Sequence, residues 1–217
     1  MNNWISTPEL RSADVWLDPL REKHRAGLIA SVSDGELWNL WYTAVPHPDD
    51  MSAFIERAVR ERAEGESFAF AVRLADTGKI IGSTRYMHID AINRRVEIGH
   101  TWYSASHQRT SVNTSCKHLL LLHAFENADA IAVEFRTNRL NRRSRAAIER
   151  LGAAQDGILR SHSISEDGLV RDSAVYSVIA AEWPAVKRNL EWLLLRSEDG
   201  PRALRYSATV RHVLPDR

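Results

Sequence analysis

A single cysteine, Cys116, among 217 residues excludes an intrachain disulfide framework and suits a reducing compartment. No apolar run is long enough to span a bilayer and no charged-then-apolar leader opens the chain, so a membrane partner is not expected and the cytoplasm is the default. Neither sign of charge dominates: 29 basic against 28 acidic side chains leave +1, which argues against nucleic acid or a lipid surface as principal partner while leaving local patches open. Internal repeats and low-complexity tracts are missing, which removes solenoids and linker arrays. No metal site is expected.

What remains is ordinary globular composition, 44% apolar and 26% charged, in a length that fits one domain with a substantial core. That domain is expected over residues 1–196. Beyond it Gly200-Pro201 marks a break, and residues 197–217, with four arginines after position 201, read as a poorly ordered tail, with an extra strand or a partner-binding arm over Leu204 to Leu214 as the alternatives.

The chain is organised around Arg95 to Asn138. In its first part Val96, Ile98, His100 and Trp102 alternate with Glu97, Gly99, Thr101 and Tyr103, so a two-faced strand is predicted. A polar stretch from Ser104 to Ser115 follows. Then comes a helix whose apolar positions, Cys116, Leu119 to Leu122, Ala124 and Phe125, nearly encircle it, as in a buried helix. Cys116 reads there as a small core residue. A second strand, with Ile131, Val133 and Phe135 on one face, closes the unit. Asn113, Thr114 and Ser115 are good N-cap types, which puts the helix start near them and its unpaired N–H groups at the end of the Gln108 to Val112 loop. With Arg109 beside them, these groups suit an anion such as a polyphosphate. A well-capped buried helix is the plainer alternative.

Before this unit the pattern predicts a strand at Val15-Trp16-Leu17, helices over Leu20 to Val32 and from Asp49 or Asp50 to Glu64, and a hairpin of Phe68 to Leu74 with Ile80 to His88. After it come a helix from Asn141 to Leu151 ended by Gly152, a hairpin around Glu166-Asp167-Gly168, and a helix from Trp183 to about Leu195.

Two motifs carry a resemblance. Gln108-Arg109-Thr110-Ser111-Val112-Asn113 resembles the diphosphate loop Q/R-x-x-G-x-G/A of the GNAT acetyltransferases, and Asn141-Arg142-Arg143-Ser144 leading to Arg150-Leu151-Gly152-Ala153 resembles their N-x-x-S and LGA/F helix. Within that superfamily the RimJ/RimL-type subgroup is similar to the chain from about Val15 to Trp192. The resemblance implies an α/β (α+β) fold with a mixed, mostly antiparallel sheet of about six to seven strands flanked by helices. It also implies acetyl-CoA as co-substrate and direct acetyl transfer, in a ternary complex, to a primary amine: a protein or peptide N-terminus, or a small amine or amino acid. A homodimer is plausible.

The same resemblance assigns residues. The backbone at Trp102, Tyr103 and Ser104 would pair with the pantetheine arm, Gln108, Arg109, Thr110, Ser111, Val112, Asn113 and Thr114 would hold the diphosphate, and Asn141 would help hold the cofactor. Ser144 would donate to the departing thiolate, since Ile148 stands where many relatives have a tyrosine acid. Glu97 is the favoured base, its plainer alternative being an ion pair with Arg94 or Arg95; His100 is a second candidate and Tyr176 a reserve acid. Trp38, Trp41 and Tyr42, before the Pro46 break, are the candidates for an acceptor rim, with aromatic core packing as the plainer alternative. The chain departs from the motif at Ser111 and Asn113, which fill both glycine positions. A positive φ at Ser111 would strain the loop; otherwise its hydroxyl would itself serve as a donor to a phosphate oxygen. The missing glycines and tyrosine also motivate an alternative, a GNAT-fold module that binds CoA or a protein partner without catalysis.

Overall fold

The computed structural model describes residues 4–6, 8–41, 45–165 and 168–196, and the backbone of 209–211. Strands β1 (Glu9–Arg11) and β2 (Val15–Pro19) come first, and a 3-10 turn over Glu22–His24 leads into α1 (Arg25–Ser33), followed by α2 (Met51–Glu64). Strands β3 (Phe68–Leu74), β4 (Ile80–Asp90) and β5 (Arg95–Tyr103) form an antiparallel meander. Helix α3 (Val112–Leu122), prolonged by a π-turn over His123–Asn127, leads to β6 (Ala132–Asn138). The chain continues through α4 (Arg142–Leu151), β7 (Ala154–Ile164), β8 (Val170–Ile179), α5 (Trp183–Leu195) and β9 (Thr209–Arg211).

All strands join one sheet in the order β7-β8-β6-β5-β4-β3-β2-β1-β9, antiparallel except for β5 beside β6. Strands β1 to β8 make eight, against the six to seven expected, and β9 adds a ninth. The extra strands are short: β1 spans three residues, too few for alternation to register in the sequence. The expected tail lies outside the described residues except for 209–211, which pair with β1. Tyr42, Glu166 and Asp167 also lie outside them.

Each face of the sheet has its own core. On one, Val96, Ile98 and Tyr103 of β5 pack with Cys116, Leu119 and Leu120 of α3 and with Ile148, Leu151 and Leu190. On the other, Ala69, Ala71 and Trp102 meet Leu28 and Val32 of α1 and Phe54 and Ile55 of α2. Helix α3 is buried nearly all round, as its sequence predicts, and even Lys117 and His118 are inside.

Two irregularities position the site. Alternation along β5 holds only as far as Ile98. Gly82, Ser83 and Arg85 of β4 oppose Tyr103, Trp102 and Gly99, so His100 and Thr101 together face the single residue Thr84. His100 absorbs the extra residue with φ 44°. A bulge of this kind inverts parity, so Tyr103 rather than Trp102 shares the face of Ile98. The second irregularity lies between β5 and β6, whose parallel ladder runs only from Arg95–Ala132 to Glu97–Glu134. Past that point the strands part. Ile131, expected on the inner face of β6, instead precedes that strand and is 43% exposed.

Candidate active site

Where β5 and β6 part, they wall a cleft of about 1140 Å³. Ile98 to Tyr103 line it from one side and Phe135 to Asn138 from the other, with α3, α4 and the end of α5 completing the walls. Its charge is one-sided. Arg109, Arg136, Arg143, Arg150, Arg171, Arg196 and Lys117 line it, with no Asp or Glu among the described lining residues. In a chain of net charge +1 this concentration of cations selects a polyanionic guest.

The first turn of α3 opens on the same cleft through Ser111, Asn113 and Thr114. The helix begins at Val112, slightly earlier than the Asn113 to Ser115 caps suggested, with Ser111 as its N-cap residue. Ser111 has φ −66°, an ordinary right-handed conformation, so losing the loop glycine costs no backbone strain there. The left-handed residue of the loop is Arg109, φ 63°. Side chains brace this loop: Gln108 Nε2 donates to the Tyr103 carbonyl at 3.0 Å and Thr110 Oγ1 to the His107 carbonyl at 2.9 Å. Arg150 Nη2 donates to Thr114 Oγ1 at 2.8 Å, tying α4 to the same helix start. First-turn N–H groups at the positive end of a helix, beside arginines and hydroxyls, form a donor set that fits a diphosphate.

Of the residues singled out in the sequence, Trp102, Tyr103, Gln108, Arg109, Thr110, Ser111, Asn113, Thr114, Asn141 and Ser144 line the cleft. Ser104 and Val112 are buried beside it, and the Ser104 N–H is taken by the Ile81 carbonyl at 2.8 Å. Asn141 caps α4, its Oδ1 accepting from the Ser144 N–H at 3.0 Å, and Ser144 faces the cleft from the first turn of that helix. On the acceptor side Leu37, Leu40 and Val45 line the cleft, whereas Trp38 packs edge-on against His47 and Trp41 is 56% exposed.

Glu97 sits at the apex where the strands part. It is 4% exposed, and its Oε2 is 2.8 Å from His88 Nδ1 and 3.3 Å from Arg136 Nε. Its plainer alternative takes a different form from the expected one: Arg94 pairs with Asp129 and Arg95 with Glu134, leaving His88 and Arg136 to face Glu97. Glu134 lies opposite Glu97 in the ladder. Burial works to raise the Glu134 carboxyl, but hydrogen bonds from Arg95 and Arg136 outweigh it and hold the group below its ordinary pKa. Gly99 and Arg136 form the cleft wall in front of Glu97; a Cβ on Gly99 would lie 3.2 Å from Glu97 Oε1.

His100 stands in the wall itself, exposed at one edge. Desolvation within the concave surface, then the positive charges of Arg85 and Arg57, lower its pKa, so it is neutral at physiological pH. Tyr176 is fully buried, accepting from Arg145 Nε at 2.9 Å and donating to Glu149 Oε1 at 2.8 Å. Burial pushes the Cys116 thiol up to about 12, as befits a core residue. Among the described residues no group of His, Cys, Asp and Glu is placed to hold a metal ion, and no helix is long and apolar enough to cross a membrane.

A mixed sheet with its one parallel pair forced apart, and a helix N-terminus aimed into the gap, define the GNAT acetyltransferase architecture. The acetyltransferase (GNAT) domain model matches residues 14–154, and the chain belongs to that family. "Putative ribosomal N-acetyltransferase YdaF" of Bacillus subtilis (strain 168) is 24% identical over 79% of this chain and 92% of its own length. A GCN5-related N-acetyltransferase from Brucella melitensis superposes with TM-score 0.76 at 27% identity, covering 86% of this chain and 88% of that one. Mycobacterium smegmatis RimJ, solved in complex with CoA-disulfide, shares the fold at TM-score 0.73 and 20% identity, over 90% of this chain and 98% of its own. These names agree with the RimJ/RimL-type resemblance read from the two motifs.

Proposed function

We propose that this protein transfers the acetyl group of acetyl-CoA to a primary amine, by direct attack within a ternary complex. The observation that carries the reading is the arginine-lined cleft, without Asp or Glu among its described lining residues, that opens on the first turn of α3. Bound there, acetyl-CoA supplies an acyl group already activated as a thioester. Gln108 to Thr114 hold its diphosphate, the edge of β5 that β6 leaves uncovered at Trp102 and Tyr103 meets the pantetheine arm through its backbone, the Tyr103 carbonyl being shared with Gln108, and Asn141 keeps α4 in place against it. Ser144 offers a hydrogen bond to the departing sulfur. Glu97, reached past Gly99, takes the proton of the acceptor amine directly or through water. The acceptor enters on the side of Leu37, Leu40 and Val45. The name of YdaF, a putative ribosomal N-acetyltransferase, favours a ribosomal protein over a small amine as that acceptor.

Calorimetric titration with acetyl-CoA tests the reading. Micromolar affinity is expected, weakened roughly tenfold in Arg109→Ala by loss of one charge at the phosphates. Absence of binding to the unsubstituted protein would refute it. With an acceptor in hand, free-thiol release should fall about tenfold or more in both Glu97→Gln and Ser144→Ala while acetyl-CoA affinity stays within about twofold. Unchanged turnover in both variants would remove these two residues from the site. A second reading, binding without catalysis, is favoured by Ile148 in the tyrosine position and by the engaged Tyr176 hydroxyl. It predicts no thiol release with any amine.

A further inference from the structure

Lys117 lines the cleft but belongs to neither motif. The chain contains 25 arginines and only 4 lysines. The cation buried in the cleft wall is nevertheless a lysine, the compact point charge of the two and the only one able to give up its proton. It is 4% exposed, one helical turn beyond Asn113 and Thr114 on α3, and it faces the bulge of β5. Its ammonium donates to Thr101 Oγ1 at 2.6 Å and to Thr84 Oγ1 at 3.3 Å. Among the described residues no carboxylate forms an ion pair with it. A buried ammonium held only by hydroxyls is costly, and an anion brought into the cleft would supply the missing counter-charge.

The hydroxyls are arranged to pass that charge on. Thr84 and Thr101 Oγ1 are 2.8 Å apart, so Thr101 can accept from both Lys117 and Thr84 with its two lone pairs. Its own O–H then has only the Gly99 carbonyl, 3.4 Å away, as a described acceptor. Thr101 lines the cleft, so this polarised donor is available to a ligand.

We propose that Lys117, acting through the Thr101 hydroxyl it holds, is a positioning residue that stabilises the CoA thiolate where β5 and β6 part. The inference rests on the acetyl-CoA reading above. In the transfer, the C–N bond to the acceptor forms as the C–S bond breaks. The electron pair of that bond leaves on sulfur, and the acceptor's proton passes to Glu97 or solvent. The Thr101 O–H, its oxygen held by the ammonium, meets the charge on sulfur, sharing that task with Ser144. The titratable groups around Lys117 are Cys116 on its own helix and Tyr103 on β5, which contacts Cys116; burial raises both, so both are neutral. From β4 the facing group is the Thr84 hydroxyl. Desolvation lowers the Lys117 pKa to about 8 in the free protein, and an anion beside the ammonium works against that shift, so the charge is held more firmly in the complex.

The test is an ultraviolet titration of the thiolate of CoA bound to the full chain, unsubstituted and as Lys117→Met, Lys117→Arg and Thr101→Val, with calorimetry confirming that CoA is bound in each. The bound thiol should titrate about one pH unit or more below free CoA in the unsubstituted protein. Lys117→Arg should keep that shift, and Lys117→Met and Thr101→Val should abolish it. Lys117→Met retains the Thr84 to Thr101 hydrogen bond and removes only a buried charge, a change that folded proteins tolerate. Should it not fold, Thr101→Val reads the same quantity with Lys117 still bonded to Thr84. Identical thiol titration in the unsubstituted protein and in Thr101→Val, with CoA bound to both, overturns the proposal. Failure of the unsubstituted protein to bind CoA overturns the acetyl-CoA reading itself.

Discussion

Gly82→Val is expected to destabilise the protein by about 3 kcal/mol, because the side chain has nowhere to go. A Cβ at position 82 would lie 2.1 Å from the Trp102 carbonyl oxygen, 3.0 Å from Tyr103 Cα and 3.1 Å from Trp102 C, all of them backbone atoms of the neighbouring strand. No rotamer change relieves a contact with backbone, so β5 must move away from β4 at the Gly82–Tyr103 pair. That end of β5 carries the Tyr103 carbonyl on which Gln108 braces the loop. The variant should therefore unfold at lower urea and also bind acetyl-CoA less tightly than its remaining folded fraction explains. A urea midpoint equal to that of the unsubstituted protein would show that the two strands yield more easily than this geometry allows.

Glu61→Ala should cost about 2 to 3 kcal/mol, the lower end of what breaking a buried ion pair costs, since Glu61 keeps some access to water. Its partner Arg85 is 4% exposed, with Nη1 donating to Glu61 Oε2 at 2.8 Å and with no hydrogen-bond partner for Nε or Nη2 among the described residues. Desolvation lowers the Arg85 pKa and the Glu61 charge works to restore it. Removing Glu61 leaves the guanidinium with the Ser67 hydroxyl at 3.4 Å and the face of Phe54 at 5.4 Å. Arg85→Met should suppress most of the loss, because an apolar side chain of similar length suits the space between sheet and α2. Urea unfolding of both single variants and the double variant gives the coupling directly. If the losses simply add, Arg85 is solvated by something other than Glu61.

Much of this architecture was legible because local pattern and tertiary role agree. The encircling leucines of α3, the alternation of Phe68, Phe70 and Val72, and Gly152 with φ 103° at the end of α4 each have one physical reading. The bulge was not legible: His100 is an ordinary residue to find in a strand, and only pairing with β4 shows that one residue too many lies between Gly99 and Trp102. Every position beyond it consequently changes face. The cleft's charge was hidden for another reason. Its arginines come from segments scattered between positions 109 and 196, and a whole-chain balance of +1 averages them away. In the sequence Lys117 is a single polar position beside a run of leucines. In a helix buried on nearly every side, however, such a position has no solvent to face, and that was the signal available.

The parting of β5 from β6 also bears on how the molecule moves. Strand β6 is bound to β8 by seven residue pairs and to β5 by three. The sheet therefore has two parts, β1 to β5 with β9 and β6 to β8, stitched along a seam three residue pairs long. That seam, beside Glu97, Glu134 and Arg136, is where the two parts share the fewest rungs. A guest lying against the open edge of β5 adds rungs where the ladder stops, so occupancy of the gap and rigidity of the sheet rise together.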